Sequence, residues 1–361
     1  MKKEHILVIR FSAMGDVAMV VPVVWSLARQ YPDVRITVLS RAFARPFFDK
    51  LAPNVNFMVA DLKKEYRGLK GLNALYRRLA AKQFSAVADL HNVLRSEYLR
   101  LRFNMGHYRV AHIDKHRKGR RHITSAKHKQ LTQQPTSFEN YAEVFRRLGY
   151  PVDIQFHSIF PPEGGMLNLL PPPVNFKNTD EQWIGIAPFA AHPGKVYPPE
   201  KMEEVIKHVI EHNPHARIFL FGRGEQEEHW FRQWCERYWL CTQAGEYAKS
   251  LEQELILMSH LDVMVSMDSS NMHLASLVGI PVVSIWGATH PYAGFLGWGQ
   301  QQENIIQTDL DCRPCSIYGQ KPCLYGDYHC LTGITPDMIT ERINSILTRV
   351  ASSAPNKNEQ P

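Results

Sequence analysis

Short apolar runs alternate with amphipathic helical stretches along most of this chain, and that alternation limits its fold more than any other feature. Ile6-Leu7-Val8-Ile9 reads as a strand, Val17 to Tyr31 as a helix and Arg35-Ile36-Thr37-Val38-Leu39 as the next strand, which makes a βαβ unit. Ala86-Val87-Ala88 fits another buried strand, and Phe138, Tyr141, Ala142, Phe145 and Leu148 recur at helical spacing. A second series starts at Trp183-Ile184-Gly185-Ile186-Ala187 and runs through a helix from Pro199 to Glu211, a strand from Arg217 to Phe221 and a helix from Glu225 to Arg237. It continues with a strand from Leu261 to Val265, a helix near Ser270 to Val278 and a strand from Val282 to Trp286. Strands joined by helices pair in parallel through right-handed crossovers, so each series predicts a doubly wound α/β domain. The expected ligand cleft lies at the strand C-termini, between the two domains.

Between the series, Pro161-Pro162-Glu163-Gly164-Gly165 and Pro171-Pro172-Pro173 stop helices and cannot serve central strands, so residues 151–173 read as a linker. The predicted boundaries are 1–173 for the first domain, 174–350 for the second and 351–361 for an unstructured polar tail. A length of 361 residues suits two such domains, and 44% hydrophobic with 21% charged residues excludes wholesale disorder. No apolar run approaches the roughly 18 residues that cross a bilayer, and Met1-Lys2-Lys3-Glu4-His5 leads straight into the first strand without a signal-peptide core. A cytosolic protein is expected. Six cysteines are too few for a disulfide scaffold.

The formal net charge of +7 favours an anionic partner. Much of the excess lies between Arg109 and Lys129, where Arg117, Arg120 and Arg121 stand among four histidines and only Asp114 opposes them. No aromatic-basic nucleic-acid module accompanies it, so nucleic acid is not an expected partner. A solvated loop that serves solubility is the bland alternative.

Three strand-to-helix loops carry candidate chemistry. Phe11-Ser12-Ala13-Met14-Gly15-Asp16 joins the first strand to the first helix. Asp16 there is either a helix N-cap or a general base; capping bonds and the helix dipole favour the charged carboxylate and so work against basicity. Positioning against an acceptor hydroxyl could offset that. Pro188 to Pro198 follows the first strand of the second domain and contains Lys195, a fixed ammonium able to stabilise a departing diphosphate, or else a surface lysine. Ser266-Met267-Asp268-Ser269-Ser270-Asn271-Met272-His273 offers backbone N–H groups at a helix start for phosphate and Asp268 for sugar hydroxyls, against a reading as simple capping. Gly222-Arg223-Gly224-Glu225 has only two glycines of a dinucleotide fingerprint and reads as a nucleotide-side loop, with Glu225 either on ribose or in a first helical turn. Cys312, Cys315, Cys323 and Cys330 are compatible with a structural zinc, but their gaps are not those of a zinc ribbon, and packed free thiols are the alternative.

Taken in order, these motifs resemble the family-9 glycosyltransferases, whose best-known members are ADP-heptose lipopolysaccharide heptosyltransferases. The most specific pieces are Ile9-Arg10-Phe11-Ser12-Ala13-Met14-Gly15-Asp16 and the stretch from Asp268-Ser269-Ser270-Asn271-Met272-His273 to Val283. The resemblance implies a GT-B fold of two Rossmann-like domains facing each other across a cleft, inversion at the anomeric carbon, no required cofactor or metal, and work on the inner face of the bacterial cytoplasmic membrane. It makes Asp16 the general base, Lys195 the contact to donor phosphate, Glu225 the ribose ligand, and Asp268, Ser269, Ser270, Asn271 and His273 the donor loop. The implied donor is a nucleotide-diphosphate sugar, most simply ADP-linked. The implied acceptor is an anionic glycolipid of lipid A or core type, held by Arg95, Arg100, Arg117, Arg120 and Arg121. Ser269-Ser270 stands where heptosyltransferases usually have Thr-Gly or Ser-Gly, and Val196-Tyr197-Pro198 stands where Trp-Pro commonly follows the lysine, so the sugar is left open. A GT-B sugar-nucleotide epimerase or hydrolase, or a non-catalytic binder of anionic ligands, is the competing reading.

Overall fold

The computed structural model describes residues 4–353. They form two compact units: the first runs to Arg117 and takes in Pro135–Ile159, and the second holds Lys118–Gln134 and the described chain from Phe160 on.

The first unit contains β1 (His5–Ile9), α1 (Met14–Ala18), α2 (Val20–Gln30), β2 (Arg35–Ser40), α3 (Arg45–Phe48), β3 (Val55–Val59), α4 (Gly68–Ala80), β4 (Ala86–Asp89), α5 (Leu94–Met105), β5 (Arg109–His112), the start of α6 (Arg117–Ile123) and α7 (Ser137–Arg147). Its sheet is parallel throughout, in the order β3-β2-β1-β4-β5. Leu7 of β1 stands opposite Thr37 on one side and Val87 on the other. Helices cover both faces, which is why β1 is buried at every position and reads as an apolar run from Ile6 to Ile9.

The second unit contains β6 (Gln182–Ala187), α8 (Pro199–His212), β7 (Ala216–Leu220), α9 (Glu225–Arg237), β8 (Cys241–Gln243), α10 (Ala244–Tyr247), α11 (Leu251–Met258), β9 (Val263–Met267), α12 (Ser270–Leu277), β10 (Val282–Ile285), β11 (Ile305–Ile306), α13 (His329–Thr332) and α14 (Pro336–Ser353). The sheet order is β11-β10-β9-β6-β7-β8, again all parallel. Met202, Val205, Ile206 and Val209 put one stripe of α8 into the core with Ile184, Ile186 and Ile218.

The structure departs from the sequence reading at four places. The helix expected from Val17 to Tyr31 is broken after Ala18, because Pro22 has no N–H to give the Ala18 carbonyl and its ring crowds that carbonyl. Residues 118–134, expected in the first domain, pack on the second: the Arg120 guanidinium lies 4.4 Å from the Phe295 ring centroid, Lys129 Nζ donates to the Arg313 carbonyl at 2.8 Å, and Gln134 N–H donates to the Tyr292 carbonyl at 2.9 Å. The Pro-rich segment is anchored, not a free linker. Gln155 N–H bonds Ser26 Oγ in the first unit, while Gly165 N–H bonds Ser259 Oγ in the second, so the division falls at 159/160 and not at 173. The tail begins later than expected, since α14 continues through Ser353; residues 354–361 lie outside the described residues.

Ile186 is fully buried in β6, between β7 and β9. Ile186→Ala is expected to lower the stability of the second unit by about 2–5 kcal/mol, read as a shifted midpoint in urea titration, whereas a shift under about 1 kcal/mol would mean that this strand is not the unit's core.

Candidate functional site

In each sheet the winding reverses once, between β1 and β4 in the first unit and between β6 and β9 in the second. Loops that leave two such strands diverge to opposite faces and open a crevice at the strand C-termini, where ligands of doubly wound sheets bind. Asp16 follows β1, Lys195 follows β6 and Asp268 follows β9. The three candidates therefore stand at the two reversals.

In the first unit Asp16 is not an N-cap. It is the third residue of α1 and reaches back, its Oδ2 accepting the Ala13 N–H at 3.1 Å. The same oxygen pairs with Arg10 Nη2 at 2.7 Å, and the Asp16 side chain is 31% exposed while that of Arg10 is buried. Arg10 is fixed from behind: Nε donates to the Ser12 carbonyl at 2.8 Å and Nη1 to the Leu90 carbonyl at 2.7 Å. Tyr141 OH donates to the Asp16 carbonyl at 3.2 Å, which ties α1 to α7.

The loop after β4 completes this end. Asp89, fully buried, accepts the N–H groups of His91 and Asn92 at 2.9 Å each and pairs with Arg100 Nη1 at 3.3 Å. Arg100 also donates to Asn92 Oδ1 at 3.0 Å, so its guanidinium holds the turn. His91 Nδ1 accepts the Phe11 N–H at 3.4 Å, and Nε2 lies 3.5 Å from Ser12 Oγ. Burial, with the charges of Arg10 and Lys115 behind it, pushes the His91 imidazole down to about 3, so the ring is neutral at physiological pH. Lys115 Nζ donates to the Asn92 carbonyl at 3.0 Å, and burial lowers its pKa from the ordinary lysine value. A cavity of about 450 Å³ opens beside Ser12 and His91, lined also by Arg41, Lys63 and Arg95.

In the second unit Lys195 Nζ pairs with Asp268 Oδ2 at 2.9 Å, with side chains only 15% and 5% exposed. Small residues let the loops approach that closely. A Cβ on Gly319 would stand 2.5 Å from Lys195 Cγ, and one on Gly287 would stand 2.7 Å from the Gly194 carbonyl oxygen. Ala288 N–H donates to that carbonyl at 2.8 Å, and the Ala288 carbonyl accepts the N–H groups of Cys315 and Ser316. Arg313, buried, donates to the carbonyls of Trp286, Gly287, Thr289 and Thr308 and thereby locks the loop after β10. Ser269 is the N-cap residue of α12, Ser270 and Asn271 open that helix, and His273 is buried in it.

The proposed acceptor arginines are divided between the two units. Arg95 is exposed and lines the cavity beside Ser12; Arg100 holds Asp89; Arg117 closes the first unit; Arg120 is buried on Phe295; Arg121 is exposed on α6 in the second unit. Glu225 is exposed at the first turn of α9, next to Gln226, which lines a cavity of about 430 Å³ with His192, Val196 and Tyr328. The thiols of Cys312, Cys315, Cys323 and Cys330 are free, and burial pushes Cys330 up to about 11. Among the described residues no three His, Cys, Asp or Glu side chains are grouped to hold a metal ion. Sequence reasoning did not assign roles to His91, Lys115, Arg41, Lys63 and Arg313. The available signal was positional, since Asp89-Leu90-His91 leaves a predicted strand at the ligand edge.

Two α/β units, each built on a doubly wound parallel sheet, give the protein the fold of the GT-B class. The sequence profile of glycosyltransferase family 9 (heptosyltransferase) matches residues 72–328, and the chain belongs to that family. Lipopolysaccharide heptosyltransferase 2 of Salmonella typhimurium is 25% identical to it over 363 residues, covering 95% of this chain and 98% of the relative. Lipooligosaccharide heptosyltransferase 2 of Campylobacter jejuni is 25% identical over 138 residues; the match covers 36% of this chain and spans only 41% of that relative's length. The solved structure of E. coli ADP-heptose lps heptosyltransferase II is similar with a TM-score of 0.67 at 21% identity, over 96% of this chain and 99% of that one. The dodecameric iron-containing heptosyltransferase TibC, in complex with ADP-D-beta-D-heptose, gives 0.51 at 12% identity, over 96% and 77%.

The unfolded chain protonates His91 near pH 6.5, whereas the folded protein does so only near 3, so stability present above 6.5 is lost as pH falls through that window. Between pH 7 and 4.5 this residue alone is expected to cost about 2–3 kcal/mol of folding stability. Urea titrations at both pH values check it: His91→Gln should flatten the fall by that amount, and an unchanged slope would show that His91 is not buried neutral.

Proposed function

We propose that the protein is an inverting, metal-independent glycosyltransferase that moves a heptose from ADP-heptose to an anionic acceptor of the lipopolysaccharide core or lipid A type. The Lys195–Asp268 pair at the winding reversal of the second sheet carries this reading. A largely buried ammonium beside a helix N-terminus suits a leaving diphosphate, and a carboxylate next to it suits a sugar hydroxyl. The names of the relatives supply the sugar and the acceptor class.

In the proposed reaction the acceptor hydroxyl oxygen bonds to the anomeric carbon as the bond from that carbon to the phosphate oxygen breaks. The hydroxyl proton passes to the Asp16 carboxylate, and the electron pair of the broken bond leaves with ADP. Lys195 and the N–H groups at Ser270 and Asn271 stabilise the charge that builds on the diphosphate. One displacement with one base inverts the anomeric centre. Glu225 and Asp268 hold donor hydroxyls, and His273 supports the donor loop. On the acceptor side, Arg95 with Arg41 and Lys63 offers cations around the cavity beside Ser12, and Arg117 and Arg121 add exposed charge. Arg100 acts through the Asp89–Asn92 turn that it holds, and Arg120 through its contact with Phe295. The acceptor is lipid-borne, so the protein works at the inner face of the cytoplasmic membrane; among the described residues no helix is long and apolar enough to cross it.

Asp16→Asn separates capping from catalysis, because the amide oxygen can still accept the Ala13 N–H but cannot take the acceptor proton. Turnover is expected to fall by a factor on the order of 10²–10⁴, with the ADP-sugar dissociation constant within about twofold of the parent. Product formation in EDTA, with and without a truncated lipopolysaccharide acceptor, is the measurement. Parent-like turnover by the variant would reduce Asp16 to a structural residue, and rapid turnover without acceptor would favour an epimerase or hydrolase.

A further inference from the structure

Helix α5 carries an apolar stripe that its own fold does not use. Its packing side is Ser96, Leu99 and Phe103, all fully buried. On the opposite side Leu94, Leu101 and Met105 are 84%, 57% and 68% exposed. At about 100° per residue these three positions lie within roughly 40° of one another, along about 16 Å of helix. Single exposed apolar residues are ordinary on any surface, but three in line on one helix are not. Among the described residues nothing covers them.

The surroundings are basic. Helix α4 lies beside α5, joined to it by Arg102, whose guanidinium bonds Asn73 and stands 4.4 Å from the Tyr76 ring centroid. Exposed Leu69 starts α4, and Lys70 and Arg77 are exposed on it one heptad apart. Arg95 is exposed beside Leu94, and Glu97 is the one acidic residue of the two helices. In a parallel sheet the helices that follow β3 and β4 start at the strand C-termini, so Leu69, Leu94 and Arg95 stand at the edge that carries Asp16 and the cavity Arg95 lines.

We propose that the exposed face of α5, with Lys70, Arg77 and Arg95 around it, is the surface by which this protein lies on an anionic bilayer. The stripe is convex, aliphatic and without an aromatic anchor or a recess, so it offers no shape for a protein partner to match. A lipid surface asks for none: apolar side chains dip below the headgroups and the cations meet anionic phosphates. The basic stretch from Arg109 to Lys129 fits this task less well, because Arg109 pairs with Glu4, Arg120 lies on Phe295 and Lys129 binds backbone carbonyls. The inference rests on the lipid-borne acceptor proposed above, and its position lets a headgroup held at the membrane enter beside Ser12.

The test is sedimentation of the full-length protein with phosphatidylcholine vesicles containing about 30% phosphatidylglycerol, and with phosphatidylcholine vesicles alone. The parent should bind the anionic vesicles and lose most binding on the neutral ones. Leu101→Glu with Met105→Glu should weaken binding at least about tenfold, and Lys70→Gln with Arg77→Gln should weaken it and reduce its salt dependence. Trp239→Glu, at an equally exposed apolar residue of the other unit, should bind like the parent. Thermal melts confirm that the variants fold, and turnover on a deacylated, soluble acceptor should stay at the parent level. If the Leu101/Met105 variant binds as tightly as the parent, the face is wrong while membrane contact stands. If the parent binds no vesicle, the peripheral reading fails as well. Loss of a parent dimer in the Leu101/Met105 variant, without vesicle binding, would assign the face to a second copy and overturn the proposal.

Discussion

The winding of each parallel sheet reverses at a single place, and the rest of the site depends on that constraint. Right-handed crossovers force the connections on either side of the reversal onto opposite faces, so the backbone between them cannot be covered by either. The polar groups of the loops after β1 and β4, and after β6 and β9, are left to satisfy one another there. They do so with ion pairs and carbonyl contacts: Arg10 with Asp16, Arg100 with Asp89, Lys195 with Asp268.

Such pairs contribute little to stability. Removing an ammonium and a carboxylate from water costs several kcal/mol per ion, and their attraction returns about as much only when the geometry is good. Lys195 and Asp268 are nevertheless buried together, on a loop network that needs Gly194, Gly287 and Gly319 to come so close and Arg313 to hold it. A pair that is costly to bury and held rigidly is suited to exchange one partner for a ligand. In the proposed reaction, phosphate oxygens replace the carboxylate at Lys195 while Asp268 turns to hydroxyl donors. Arg10 plays a different part, since its own carbonyl contacts keep it in place and it orients the carboxylate of Asp16 from the buried side.

The fold was legible where a strand is buried on both faces. β1, β6, β9 and β10 are mainly apolar and buried at nearly every position, and the loops leaving them announce the ligand edge. Edge strands gave weaker signals: β3 keeps only Met58 buried and β5 only Ala111. Asp16, Lys195 and Asp268 could be picked out because each stands in or just past the loop that leaves such a strand. His91, by contrast, meets Phe11 and Ser12 across about 80 residues of sequence, and no local pattern encodes that contact. The placement of residues 118–134 was hidden for the same reason. Their charges are conspicuous in sequence, but their place on the second unit is decided by Phe295, Tyr292 and the Arg313 carbonyl, far along the chain.

Calorimetric titration of ADP into the parent and into Lys195→Met measures directly whether Lys195 receives the donor's diphosphate. A charge-assisted contact is worth about 1.5–3 kcal/mol, so the variant should bind ADP about 10- to 150-fold more weakly while Asp16→Asn binds it like the parent. ADP affinity unchanged in Lys195→Met would contradict the account.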